Sequence, residues 1–266
     1  EFLSTLEMSA RDVAALRGLP PDRMLRAQKK VAAKTGQGGA PFIPVADGTV
    51  MPAMPLASME AGLGFRVPTV IGCNLEEDKL FSMMNPRLYR MDEEGLRAAA
   101  ARFVAARDVD RLIAAYREAR RGRGDSVTPF EIYSALSTDV MFRKTALRIA
   151  EAQCRHAAGG YNYLFCWKSP AADGKLGACH ALEVGFVFGN YDASFGGSGP
   201  GAEKLSAEMQ NAWVSFARSG DPSSARLGAW PKYSEGRASM IFDGNSRVEH
   251  AAYEAERGVW ETVEEL

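Results

Sequence analysis

Apolar and polar positions along the chain follow two rhythms. Three short runs are nearly continuous in apolar, β-branched and aromatic residues, as buried strands require: residues 67–74 with Val67, Val70, Ile71 and Cys73, residues 161–167 with Tyr161, Tyr163, Leu164, Phe165 and Trp167, and residues 237–243 with Met240 and Phe242. Elsewhere apolar residues recur at helical spacing. That spacing predicts two helices within 92–121, the first capped near Asp92 and burying Leu96, Ala99 and Phe103, the second burying Val109, Leu112, Ile113 and Tyr116 and stopping at Gly122. Further helices are expected over 129–136, over 138–157 with Val140, Met141, Ala146, Ile149, Ala150 and Cys154 inward, over 202–218 with Leu205, Met209, Ala212, Trp213 and Phe216 on one face, and from about Tyr253. Two small helices open the chain, one capped by Ser9 and one begun by Pro21 and running to about Lys34. A glycine-rich linker over 35–39, an extended stretch that turns at Asp47-Gly48, and one helical turn over 56–61 precede the first strand. Helix followed by strand, twice over, predicts a parallel sheet with the first strand central and buried on both faces.

The segment Gly177-Ala178-Cys179-His180-Ala181 runs into the apolar stretch Leu182-Glu183-Val184-Gly185-Phe186-Val187-Phe188, read here as extended core. Of the three histidines, His156, His180 and His250, only His180 lies between a loop and a buried run. That seat suits a reactive base held on a rigid body, and it equally suits an ordinary packed histidine. Glu76, Glu77 and Asp78 directly follow the first strand. Acids at the C-terminal edge of a parallel strand are where ligand and catalytic groups collect, and they are also what a solvated helix N-terminus favours. The glycine cluster Gly196-Gly197-Ser198-Gly199-Pro200 lacks the spacing of a nucleophile turn or a phosphate loop and reads as a flexible surface loop.

Composition changes this picture only by exclusion. With 266 residues, 46% apolar content and a net charge of −1, the chain has room for one large domain or two small ones and no overall pull toward nucleic acid or an anionic membrane. No apolar run approaches the roughly 18 residues that cross a bilayer. The first residues lack a signal sequence, so a cytoplasmic location is the expectation, any targeting signal lying upstream; they read like the inside of a helix, which suggests an N-terminus further upstream. The four cysteines, Cys73, Cys154, Cys166 and Cys179, lie in apolar surroundings without metal-ligand spacing, so no metal or other cofactor is expected, and buried thiols stand against two disulfides as the reading of the set. Cys179 beside His180 makes a poor nucleophile–base couple, because neighbours on an extended segment point apart.

An ordered set of segments resembles the C-terminal half of a type B carboxylesterase, the cholinesterase and para-nitrobenzyl-esterase-like branch of the α/β-hydrolases. It comprises Pro44-Val45-Ala46-Asp47-Gly48, Met51-Pro52, Gly72-Cys73-Asn74-Leu75-Glu76-Glu77, Asp139 and Phe142, His180-Ala181-Leu182-Glu183 before Phe186-Val187-Phe188-Gly189, and Phe216-Ala217-Arg218-Ser219-Gly220-Asp221-Pro222. The resemblance covers nearly the whole chain. It implies an α/β fold that is incomplete on its own: a single partial domain over 1–266, mostly parallel sheet with flanking helices and a helical insertion over about 80–136. It puts the acid of a Ser-Glu-His triad on Glu77, the general base on His180 and a supporting glutamate on Glu183, with Asp78 where the family has glycine. Phe81, Met83, Met84 and Phe142 become candidates for a pocket wall. No Gly-x-Ser-x-Gly occurs, so the nucleophile and the oxyanion hole are expected outside this chain, which alone should not turn over ester. The implied partners are a small ester substrate and either the upstream N-terminal half of the same protein or a second copy docked on an exposed sheet edge. The rival reading is a non-catalytic cholinesterase-like interaction module.

Overall fold

The structure, a computed structural model, describes residues 1–35, 42–64, 66–156 and 159–266. Two compact units emerge, Glu1–Met54 and Pro55–Leu266. In the first, Ser9 opens a 3-10 helix, Ala10–Gly18, through a capping box in which Asp12 answers the Ser9 backbone and hydroxyl at 3.0 and 2.7 Å. The helix Pro21–Thr35 follows and buries Ala27 and Val31. The turn at Asp47-Gly48 is made by Asp47 Oδ1, which accepts from the Thr49 and Met51 amides, but no strand flanks it. The expected linker falls, apart from Thr35, outside the described residues.

Among its described residues the second unit is built on four strands: β1 (Thr69–Asn74), β2 (Gly160–Phe165), β3 (Ala238–Phe242) and β4 (Arg247–His250), side by side in that order. β1 pairs parallel with β2 and β2 with β3, whereas β4 returns antiparallel to β3. The first strand is therefore not central, as the apolar run had suggested. It has one neighbour here, and only Cys73 and Asn74 at its end are fully buried. Because Thr69 N and Leu75 N both donate toward β2, the N–H groups of Val70 and Gly72, between them on the pleat, face the open edge.

A helical layer fills the connection from β1 to β2. Its helices Glu93–Ala100, Val109–Arg123 and Pro129–Thr138 enclose a core of Leu96, Leu112, Tyr116, Ile132 and Leu136, to which the C-terminal helix Glu254–Trp260 adds Trp260. The helix expected over 138–157 is interrupted. Asp139–Arg143 forms one π-turn before Lys144–His156, and Met141, placed inward by the pattern, is 44% exposed; residue 157 lies outside the described residues. The extra residue in that turn rotates the face that the uninterrupted spacing assumed. A second core lies where Phe165 and Phe242 of the sheet meet Phe186, Leu205, Met209 and Trp230, with the helix Pro200–Ser219 closing it.

The stretch after His180 departs most from its expected form. Leu182–Phe188 is a helix, not an extended segment: Leu182 and Phe186, four apart, are buried, while Val184 and Phe188 are exposed. Leu182 and Phe186 would share a face in either period, and the exposed Val184 midway between them decides for the helix.

Candidate active site

Two loops at the C-terminal ends of β1 and β2 meet. The first turns through Leu75 and Glu76 into Glu77, which has helical dihedrals and starts the short helix Asp78–Ser82. The second carries Gly177 to His180. They are stitched together at one place from both sides: Glu76 N donates to Ala178 O at 3.0 Å, and Glu76 Oε2 accepts from Ala178 N at 2.8 Å. Gly177 makes this approach possible. It sits at φ +55°, and a Cβ there would lie 2.0 Å from Glu76 Oε2. Past the histidine, Ala181 takes the left-handed region at φ 63°, which turns the chain sharply into the next helix.

This arrangement brings His180 and Glu77 together. His180 Nδ1 lies 2.7 Å from Glu77 Oε2, and Glu77 Oε1 accepts from the Asn74 backbone N–H at 2.7 Å. Both carboxylate oxygens are thus engaged. Burial pushes the Glu77 carboxyl above its ordinary range, and the bonds from Asn74 and His180 work in the opposite direction. The imidazole side chain is 38% exposed. Phe81 and Phe142, nearly parallel to each other, each place a ring centroid 5.1 Å from the imidazole. His180 Nε2 makes no hydrogen bond to any described residue.

Asn74 was not singled out by sequence reasoning, although it ties the site together. Its buried Nδ2 donates to Cys179 O at 2.6 Å and to Glu183 Oε2 at 2.5 Å, so Glu183 touches the histidine loop through this amide. The signal lay in the Gly72-Cys73-Asn74 segment, where a polar residue closes an apolar strand. Met83 and Met84 are exposed, Met84 to 80%, in contrast to the two phenylalanines set against the ring. Asp78 turns inward: its backbone N–H donates to Thr138 Oγ1, Ser82 Oγ donates to its Oδ2, and burial raises its carboxyl. Cys179 is fully buried, and burial pushes its thiol up to about 11, so it carries no thiolate at neutral pH. All four cysteines are free thiols in the structure.

Among the described residues no cluster of His, Cys, Asp or Glu could hold a metal ion. Nor is any helix there long and apolar enough to cross a membrane. A cavity of about 300 Å³ lies away from this pair, between Lys144, Arg148, Arg257 and Trp260. Its basic groups are already paired, Lys144 with Glu265, Arg148 with Glu60 and Arg257 with Glu261, and Glu151 also lines it.

A histidine held at Nδ1 by a buried carboxylate, on loops at the C-terminal edge of a parallel sheet, is an arrangement that can move a proton at its free ring nitrogen. The family model described as "Carboxylesterase family" matches residues 4–260, and the chain belongs to that family. It is similar to the phenmedipham hydrolase of Pseudarthrobacter oxydans, 27% identical over 250 residues that cover 90% of this chain and 48% of the relative. The para-nitrobenzyl esterase of Bacillus subtilis (strain 168) is likewise 27% identical, over 256 residues, 94% of this chain and 49% of that one. Among solved structures, a Geobacillus stearothermophilus carboxylesterase superposes with a TM-score of 0.74 at 31% identity, over 97% of this chain and 53% of its own. The chain therefore carries part of the α/β-hydrolase fold and spans about half the length of the curated relatives it matches.

Proposed function

We propose that this chain supplies the acid and the base of a serine carboxylesterase: Glu77 and His180 of a Ser-Glu-His triad whose serine and oxyanion-hole donors stand outside these 266 residues. The observation that carries the reading is the 2.7 Å contact of His180 Nδ1 with Glu77 Oε2, which leaves Nε2 as the free end of the ring. Glu77 selects the tautomer protonated at Nδ1, so Nε2 can take the proton of a serine hydroxyl as its oxygen attacks the ester carbonyl. The imidazolium that forms is stabilised by the ionised Glu77. It returns the proton from Nε2 to the departing alkoxide, and water repeats the cycle on the acyl-enzyme.

Esters with an aromatic alcohol or acyl group suit the Phe81 and Phe142 rings beside the histidine, in keeping with the para-nitrobenzyl group in the name of the Bacillus subtilis relative. Met83 and Met84, exposed in this chain, join the pocket wall in the same reading. Residues 1–266 then form one partial hydrolase domain with the helices of 80–136 as its insertion, completed by an upstream half on the open edge of β1.

The test uses a short-chain nitrophenyl ester. The chain alone is expected to release no nitrophenol, and the chain joined to its upstream segment to release it with saturation kinetics. His180→Ala should abolish nearly all of that activity, whereas full activity in the His180→Ala protein would overturn the assignment. Full tolerance at both Glu77 and His180 would favour an interaction module instead.

A further inference from the structure

We propose that Lys79 is a positioning residue for the Glu77–His180 couple, acting through the carboxylate of Glu76; the proposal rests on the reading above that this couple does the chemistry. Four nearly buried charged side chains form a line from the histidine loop into the helical layer. Lys79 Nζ lies 2.6 Å from Glu76 Oε1 and 3.0 Å from Glu131 Oε1, and Glu131 Oε2 lies 3.3 Å from Arg120. The Lys79 side chain is 9% exposed and that of Glu76 12%. A lysine is seldom buried to this degree unless its partners require it.

What Glu76 does explains the requirement. It precedes the triad acid by one residue, and its free oxygen accepts from the backbone of Ala178, two residues before His180. With Lys79 donating to Oε1, it can accept at both oxygens only while ionised; a protonated carboxyl would present a donor to a donor at one of the two. Burial alone works against ionisation, but Lys79 beside it, with Lys168 at longer range and the Ala178 amide, holds the carboxyl below its ordinary value. Lys79 thus fixes both the charge and the rotamer of the group that ties the acid turn to the base loop. Gly177 gives independent testimony to the same contact, since its bare α-carbon is what admits the Glu76 carboxylate. The helical layer enters through Glu131, which sits in the helix Pro129–Thr138 and shares the ammonium.

The experiment measures the tautomer and titration of His180 by long-range ¹H–¹⁵N correlation in the 266-residue chain, beside thermal melts followed by circular dichroism. The wild-type ring is expected to be protonated at Nδ1. In Lys79→Met the preference for that tautomer should fall about tenfold, the weight of one weakened charge-assisted hydrogen bond, and the titration of the ring should shift, while Lys79→Arg restores both. If Lys79→Met does not fold, the double variant Glu76→Leu/Lys79→Met, which leaves Glu131 paired with Arg120, no lone buried charge and no acceptor for the Ala178 amide, is measured in its place with the same loss expected. A wild-type tautomer and pH profile in the folded variant overturns the proposal. Hydrolysis is not the readout, so an esterase reading sunk by an active His180→Ala protein would leave this result standing.

Discussion

Glu77 works with both oxygens, which makes even an isosteric change there costly. A glutamine offers one acceptor where Asn74 N–H and His180 Nδ1–H need two. With its amide nitrogen toward the ring it selects the tautomer protonated at Nε2, which cannot take a proton from serine. Glu77→Gln is expected to lower hydrolysis by the joined protein about 10⁴-fold, the scale of a triad acid replaced by its amide. Stability should move the other way. Burial raises the folded-state value of Glu77, so its ionisation opposes folding above that value and the penalty fades as pH falls through it. The Glu77→Gln chain should therefore melt no lower than wild type at pH 7. Gly177→Ala, by contrast, should cost both activity and melting temperature, since it adds left-handed strain of about 1–2 kcal/mol to a clash with Glu76. The resemblance named Glu77, His180 and Glu183 by number, and the structure brings the first two to 2.7 Å and ties the third to them through Asn74. The Glu76–Ala178 tie was not legible in the sequence, because half of it is backbone and has no side-chain signature.

Among the elements, the π-turn Asp139–Arg143 aims a ring at the site. Asp139 holds Arg143 through two bonds of 2.6 Å and accepts from the Tyr116 hydroxyl, all of it buried, and Phe142 projects from this braced turn onto His180. Asp139→Ala strands a buried guanidinium and should destabilise by about 3–5 kcal/mol. Asp139→Ala/Arg143→Met, which leaves no lone buried charge and strands only the Tyr116 hydroxyl donor, should recover much of that loss in a denaturant melt. Neither the turn nor its brace is visible in the pattern, since Val140, Met141 and Ala146 keep an acceptable helical rhythm across it. Strands β2 and β3 were readable because apolar and aromatic residues dominate their runs, with Asn162 and Ser239 the polar exceptions. β4 was not, because Arg247, Val248, Glu249 and His250 are mostly polar and pair only through backbone. Resemblance could name the residues of the helix Leu182–Phe188 but not its geometry, which depends on the left-handed turn at Ala181.

For the molecule as a whole, the open edge of β1 offers the unpaired N–H groups of Val70 and Gly72 to a further strand. At rising concentration the chain is expected to gain mass in light scattering through that edge. Val70→Pro deletes an outward donor while sparing the bonds to β2, and should hold the chain nearer to monomer mass. The distance between the two loops in sequence has another consequence. Glu77 and His180 are 103 residues apart, and their bond cannot form until β1 and β2 lie side by side. The helices between them have a core of their own, so local contacts can form before that long loop closes. Loop-closure entropy rises only with the logarithm of length, and a connection already condensed is shorter still in effect. In refolding experiments, helical signal should therefore recover before the His180 tautomer does. The Glu77–His180 contact would then be a late event on the folding pathway, and its appearance a clock for the moment at which β1 and β2 come together.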